Sequence, residues 1–193
     1  MLQEIIKTYE ELKKCIFIIK RGDKPPIIVK FKNDNFFHLV GLHKTGICIF
    51  IPDKIKSKDK QYKFLKKNAE KFNKILENQI QEKDSLYLRI QTFSKILELL
   101  KESPDNTLLY NLSNKVPGSV YDGDYGLLKV FENDLNCLLG LKIHDQNDKV
   151  IVCAPQSWMA SNRRNRLIDG KRPLYLESIS NIPKDLYNDE QYF

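Results

Sequence analysis

Ser85-Leu86-Tyr87-Leu88-Arg89-Ile90-Gln91-Thr92-Phe93-Ser94-Lys95-Ile96-Leu97-Glu98-Leu99-Leu100-Lys101 is the stretch on which the fold reading turns. Leu86, Ile90, Phe93, Leu97 and Leu100 follow one another at steps of four, three, four and three, which lines them up as one stripe of an α-helix. Pro104-Asp105-Asn106 stops it. Before this helix, residues 2–14 carry Leu2, Ile5, Ile6, Tyr9 and Leu12 at helical spacing, and residues 53–81 are polar and largely helical. Residues 15–19 and 26–31 read as strands around the turn Arg21-Gly22-Asp23, and residues 46–51 as a third strand stopped by Pro52. After the helix the pattern changes to short strands at 107–112, 126–131, 136–143 and 149–154, the last two joined through Asp145-Gln146-Asn147-Asp148. A loop rich in Ser, Asn and Arg covers 156–171, one more strand is expected at 173–178, and the tail beyond Ile182 reads as loosely held. The pattern predicts an α+β fold, with helices packed on a small antiparallel sheet. One domain over 1–193 is expected, with its core in roughly 16–180.

Composition narrows the class. With 41 % hydrophobic and 30 % charged residues the chain can build a core and is neither collagenous nor disordered throughout. No apolar run approaches the ~20 residues of a bilayer span, and the start of the chain lacks a signal-peptide core. A soluble, cytoplasmic protein with no membrane partner is expected. Cys15, Cys48, Cys137 and Cys153 stand far apart without a C-x-x-C pair, so they predict free thiols rather than a zinc knuckle or a disulfide framework.

The net charge of +7 is unevenly spread. Residues 54–74 hold nine lysines against Asp59 and Glu70, which equals the excess of the whole chain. Such a run is either a solvated helical face or a surface that attracts a polyanion. Arginine is rarer: of six, Arg163, Arg164, Arg166 and Arg172 fall within ten positions. They are either an exposed loop or guanidinium forks for phosphate and base recognition.

Few residues could carry acid–base chemistry. Phe36-Phe37-His38-Leu39-Val40-Gly41-Leu42-His43-Lys44 sets two of the three histidines five positions apart, beside a cation and a flexible glycine. His38 is either a core residue or a proton-transfer group suited to neutral pH. Arg89 lies on the apolar side of its helix, where a charge must pair with an acid, snorkel, or receive an anion. Gln156-Ser157-Trp158 sets a hydroxyl and the only tryptophan at a strand end, for binding phosphate and stacking on a base, with a buried indole as the alternative. There is no P-loop, dinucleotide fingerprint, H-E-x-x-H motif or carboxylate cluster. No metal or other cofactor is expected. The inventory of His, Lys, Arg and Ser suits RNA cleavage by attack of the ribose 2′-OH.

The segment from Phe36 to Lys44 resembles the F-x-H-L-x-G-L-x-K-like signature of a phage-associated branch of the barnase–EndoU–colicin–RelE-like nucleases. Arg89 to Phe93 is similar to that family's R-x-x-x-F helix, Ala154-Pro155-Gln156-Ser157-Trp158 to its P-x-S-aromatic segment, and Arg166-Leu167-Ile168 to a basic-apolar stretch that follows. The resemblance implies a compact α+β nuclease that cleaves RNA without metal, as a toxin or effector of phages and mobile elements. It implies His38 as general base or acid, Arg89 and Arg166 on the phosphate, and Ser157 orienting the phosphate or the 2′-OH. His43, Lys44, Trp158, Arg163 and Arg164 are expected to bind substrate, and which of the three clustered arginines meets phosphate stays open. The partners expected are RNA, with tRNA as one target, and a neutralising antitoxin or immunity protein. The rival reading is an inactive module of a phage or mobile element that binds nucleic acid or protein.

Overall fold

The computed structural model describes residues 1–81, 85–100, 106–113, 121–162 and 166–188, with Lys44 and Arg166 described by backbone alone. Helix α1 (Leu2–Lys13) buries Leu2, Ile5, Ile6, Tyr9 and Leu12 along one side and thereby joins the main core, ahead of the expected core start. Strands β1 (Cys15–Arg21) and β2 (Lys24–Lys30) form an antiparallel hairpin. Its turn needs the positive φ of Gly22, +65°. Helices α2 (Phe36–Val40), α3 (Lys58–Lys67), α4 (Ala69–Gln79), α5 (Ser85–Gln91) and α6 (Lys95–Leu99) follow. Strands β3 (Thr107–Asn111), β4 (Tyr125–Val130), β5 (Asn136–Gln146), β6 (Ile151–Ser161) and β7 (Ser178–Pro183) complete the described elements.

The fold is α+β, with a sheet larger than expected and mixed rather than purely antiparallel. The described strands form one seven-stranded sheet in the order β3-β4-β5-β6-β2-β1-β7. Every neighbouring pair is antiparallel except β2 and β6, which run parallel over Ile27–Val29 and Ile151–Cys153. One face packs with the helices into the main core, which includes Phe17, Ile19, Ile27, Val29, Leu139, Leu141 and Trp158. On the other face Tyr110, Leu112, Leu128, Leu138 and Ile168 form a smaller cluster.

Several boundaries differ from the sequence reading, each for a local reason. The long stripe helix is two pieces. Between α5 and α6, Thr92 turns its hydroxyl back onto the Leu88 carbonyl at 2.8 Å, which its own N–H also meets at 3.0 Å, and receives the Trp158 indole N–H at 3.2 Å. A back-bond of this kind bends a helix, and the next N–H, of Phe93, turns to the Ile90 carbonyl. The polar helix of 53–81 is likewise broken at Asn68, whose side-chain amide donates to the Phe64 carbonyl at 2.8 Å. The expected strand at 46–51 is a 3₁₀ helix, Gly46–Phe50, started by Thr45 accepting from the Ile47 N–H. Ile49 and Phe50 stand exposed on it and pair with no strand. The strand expected at 173–178 is reduced to a bridge between Leu109 and Leu174, because β7 begins at Ser178 and buries Ile179 beside β1. The tail is held further than expected, with Lys30 Nζ 4.8 Å over the ring of Tyr187. Among the described residues no helix is long and apolar enough to cross a membrane.

Candidate active site

The short helix α2 is anchored by Phe36, Phe37, Leu39 and Val40, all buried, so the remaining residue, His38, is left half-buried at its surface. Gly41 ends the helix in the left-handed conformation, φ +88°, with its N–H donating to the Phe37 and His38 carbonyls. The glycine has a second job. A Cβ at position 41 would lie 2.5 Å from Arg89 Nη1, so the missing side chain is the space in which the guanidinium rests. After the turn His43 comes back beside His38, with ring centroids 4.6 Å apart and planes tilted by 37°. His43 Nδ1 donates to the Phe37 carbonyl at 3.2 Å.

Arg89 reaches this place from α5. Burial pushes its pKa down to about 10, because a charge removed from water is costly. No carboxylate among the described residues forms an ion pair with it. Asp122, which also lines the cleft, is engaged instead by Lys142 at 3.3 Å. On the far side of His38, Lys58 at the start of α3 brings Nζ within 3.0 Å of His38 Nε2. An ammonium can only donate, so His38 is the acceptor and is neutral, with its proton on Nδ1. Burial, Lys58 and His43, in that order, all lower the His38 pKa.

The opposite wall is β6, which pairs with β2 only as far as Cys153. Past that point β2 has ended and led into α2, so the cleft opens beyond the carboxyl ends of the parallel pair, where neighbouring chains diverge. A bulge shapes the wall. Gly140 faces Ser157 and Leu141 faces Pro155, so Gln156 is the extra residue. The bulge lets the adjacent Gln156 and Ser157 both line the cleft, and it turns Trp158 to the helix side. Ser157 Oγ is buried without a well-formed hydrogen bond and lies beside the hydroxyl of Tyr121. Burial raises the Tyr121 phenol well above its usual pKa, and its ring sits where a Cβ on Gly140 would be. The resulting cleft, about 230 Å³, is lined by His38, His43, Arg89, Tyr121, Asp122, Gln156, Ser157 and Met159.

Four residues named from sequence thus meet in one cleft: His38, His43, Arg89 and Ser157. Trp158 does not. It is fully buried in the main core, hydrogen-bonded to Thr92, and cannot stack on a base. Arg163 and Arg164 lie outside the described residues, and for Lys44 and Arg166 only the backbone is described, in 3₁₀ turns Leu42–Lys44 and Arg166–Ile168. Lys58, Tyr121 and Gln156 are additions. Lys58 was hidden in a run where lysine recurs every few residues, whereas the Tyr121-Asp122-Gly123-Asp124-Tyr125 turn was a signal that could have been followed. All nine lysines of 54–74 are exposed, and among the described residues only Lys63, with Asp59, and Lys66, with Glu10, are ion-paired.

Helices stacked on a curled mixed sheet, with a basic cleft at its splayed strand, make this an α+β fold of the barnase, EndoU and RelE-like nuclease class. The chain belongs to PBECR4, the phage-Barnase-EndoU-ColicinE5/D-RelE like nuclease 4 family, whose sequence profile matches residues 1–182. No curated protein and no solved structure matches the chain.

Proposed function

We propose that this nuclease is a metal-independent endoribonuclease of toxin or effector type. In this reading the ribose 2′-OH attacks the adjacent phosphorus, the 5′-oxygen leaves, and a 2′,3′-cyclic phosphate remains. One observation carries it: Arg89 is a half-buried cation with no counter-charge among the described residues, seated on Gly41 beside two imidazoles in an open cleft. An anion held there has a guanidinium to stabilise charge growing on its oxygens and proton-transfer groups beside it. The donor set supports the metal-free form of the reaction. The lining offers two imidazoles, a guanidinium, two hydroxyls and an amide, and its carboxylate is paired with Lys142. Ser157, with its poorly satisfied hydroxyl, orients the phosphate or the 2′-OH. The exposed lysines of α3 and α4 draw the RNA in without reading its sequence. Structured RNA such as tRNA is the target class, and a neutralising protein is the expected partner of a toxin in the cytoplasm that makes it.

The test is incubation with total RNA in EDTA, followed by analysis of the new ends. Cyclic phosphate and 5′-hydroxyl ends are expected, with cleavage reduced ~10²-fold or more in His38→Ala and Arg89→Ala. Products without cyclic phosphate, or full activity in both variants, would overturn the reading. Salt-sensitive binding without any cleavage would favour the second reading, a nucleic-acid-binding module, for which the lysine face is the supporting observation.

A further inference from the structure

Each imidazole in the cleft has one nitrogen already committed. His43 donates Nδ1–H to the Phe37 carbonyl, which leaves the Nε2 lone pair as its only free polar position. Phe37 O belongs to the first turn of α2 and also receives the Gly41 N–H at 3.0 Å, so this tautomer is fixed by the backbone that forms the turn. His38 is the reverse case. Its Nε2 lone pair is taken by Lys58 Nζ at 3.0 Å, and its free position is a proton, Nδ1–H. Two rings with centroids 4.6 Å apart are thus preset for opposite tasks, one to accept and one to donate.

Resting on the ribonuclease reading, we propose that His43 rather than His38 is the general base, and that His38 is the acid, fed with its proton by Lys58. His43 Nε2 takes the proton of the 2′-OH while 2′-O forms its bond to phosphorus. The bond from phosphorus to the 5′-oxygen breaks, and that oxygen takes the Nδ1 proton of His38. Lys58 Nζ passes a proton to His38 Nε2 in the same event, so His38 begins and ends neutral. The step leaves His43 protonated, His38 as its Nε2–H tautomer and Lys58 neutral. His43 then gives its proton to water, and a proton from water at His38 Nδ1 returns the Nε2 proton to Lys58. Arg89 stays charged throughout and faces the phosphate. Lys58 does not touch the substrate in this scheme and acts through His38 as a positioning and relay residue.

The experiment compares an RNA oligonucleotide with its analogue carrying sulfur in place of the 5′-bridging oxygen, since a thiolate leaves without needing a proton. His38→Ala and Lys58→Ala are expected to lose ~10²-fold or more on the oxygen substrate and to return to within about tenfold of wild type on the sulfur one. His43→Ala is expected to be equally impaired on both. Rescue of His43→Ala and not of His38→Ala would overturn the assignment. A Lys58→Ala loss of the same size on both substrates would remove the relay. Imidazole ¹⁵N spectra of the wild-type protein give a readout free of activity. Both histidines are expected as Nδ1–H tautomers, with only the His38 signals moving in Lys58→Ala. A wild-type protein that cuts neither substrate rejects the ribonuclease reading, and Nε2–H at His43 rejects the proton placement proposed here.

Discussion

Two clusters of charge on this molecule are built in opposite ways. At Glu10, on α1, a carboxylate is surrounded by partners: Lys13 Nζ at 2.7 Å, Lys66 Nζ at 2.9 Å and the Tyr62 hydroxyl, which donates at 2.5 Å. Burial alone would raise its pKa, yet the hydrogen bonds from Lys13, Tyr62 and Lys66 outweigh it and hold the carboxyl down at about 2. At the cleft, Arg89 is more deeply enclosed and has no acid among the described residues, and Lys58 spends its contact on a neutral imidazole. The first cluster joins α1 to α3 and is complete as it stands. The second is incomplete among the described residues, and in the proposed function an anion from outside completes it. A buried charge whose partners are internal reads as structure, whereas one without partners reads as a site.

The largest break in that contrast is Arg89→Met. Replacing a half-buried cation that has no acid partner among the described residues with an apolar chain of similar length relieves a desolvation cost, so the variant should be as stable as wild type or up to ~2 kcal/mol more stable. RNA cleavage should fall ~10³-fold, the scale of losing one preorganised donor to a developing anion. Thermal melts and cleavage rates on the same preparations check it. Loss of both stability and activity would mean that Arg89 is structural after all, and the two clusters would be alike.

How much of this was legible in the sequence follows from how local each signal was. The histidine pair sits within one nine-residue segment, and Arg89 was conspicuous as a charge on an apolar helix face, so both could be named without coordinates. Trp158 could not be placed, because a single bulge at Gln156 reverses the alternation of β6 and sends the indole inward. Alternation counted along the chain carries no record of such an insertion. Lys58 was invisible for another reason: contact with His38 spans 20 residues and nothing in a lysine run marks one member. The parallel pairing of β2 with β6, which opens the cleft, links residues more than 120 apart, and no local pattern encodes such a pairing.

A smaller effect tests the joint between the two halves of the cleft. Gly41→Ala places a methyl group 2.5 Å from Arg89 Nη1 in a backbone with φ +88°. The left-handed conformation costs an alanine about 1 kcal/mol, and the guanidinium must leave its seat. Cleavage should drop ~10²-fold, as expected when a positioned group is moved by about an ångström. In the Arg89→Met background the same substitution should cost much less activity, because the group it displaces is already gone. Equal losses in both backgrounds would show that Gly41 serves the turn alone.

The smallest effect comes from the other cluster. Glu10→Gln keeps the shape but removes the charge that Lys13, Lys66 and Tyr62 share. The folded pKa is depressed, so the stabilisation is present above the ordinary glutamate value of 4.5 and is lost as pH falls toward about 2. The side chain is 29 % exposed, so solvent screening limits the contribution to roughly 1–2 kcal/mol. Wild type should therefore exceed Glu10→Gln in stability by that amount at pH 7 in chemical denaturation, the gap should narrow below about pH 4.5, and the two curves should converge only at and below about pH 2. Cleavage by the variant should match wild type, since its partners are all internal to the α1–α3 joint. A cleavage defect with unchanged stability would exchange the roles given to the two clusters.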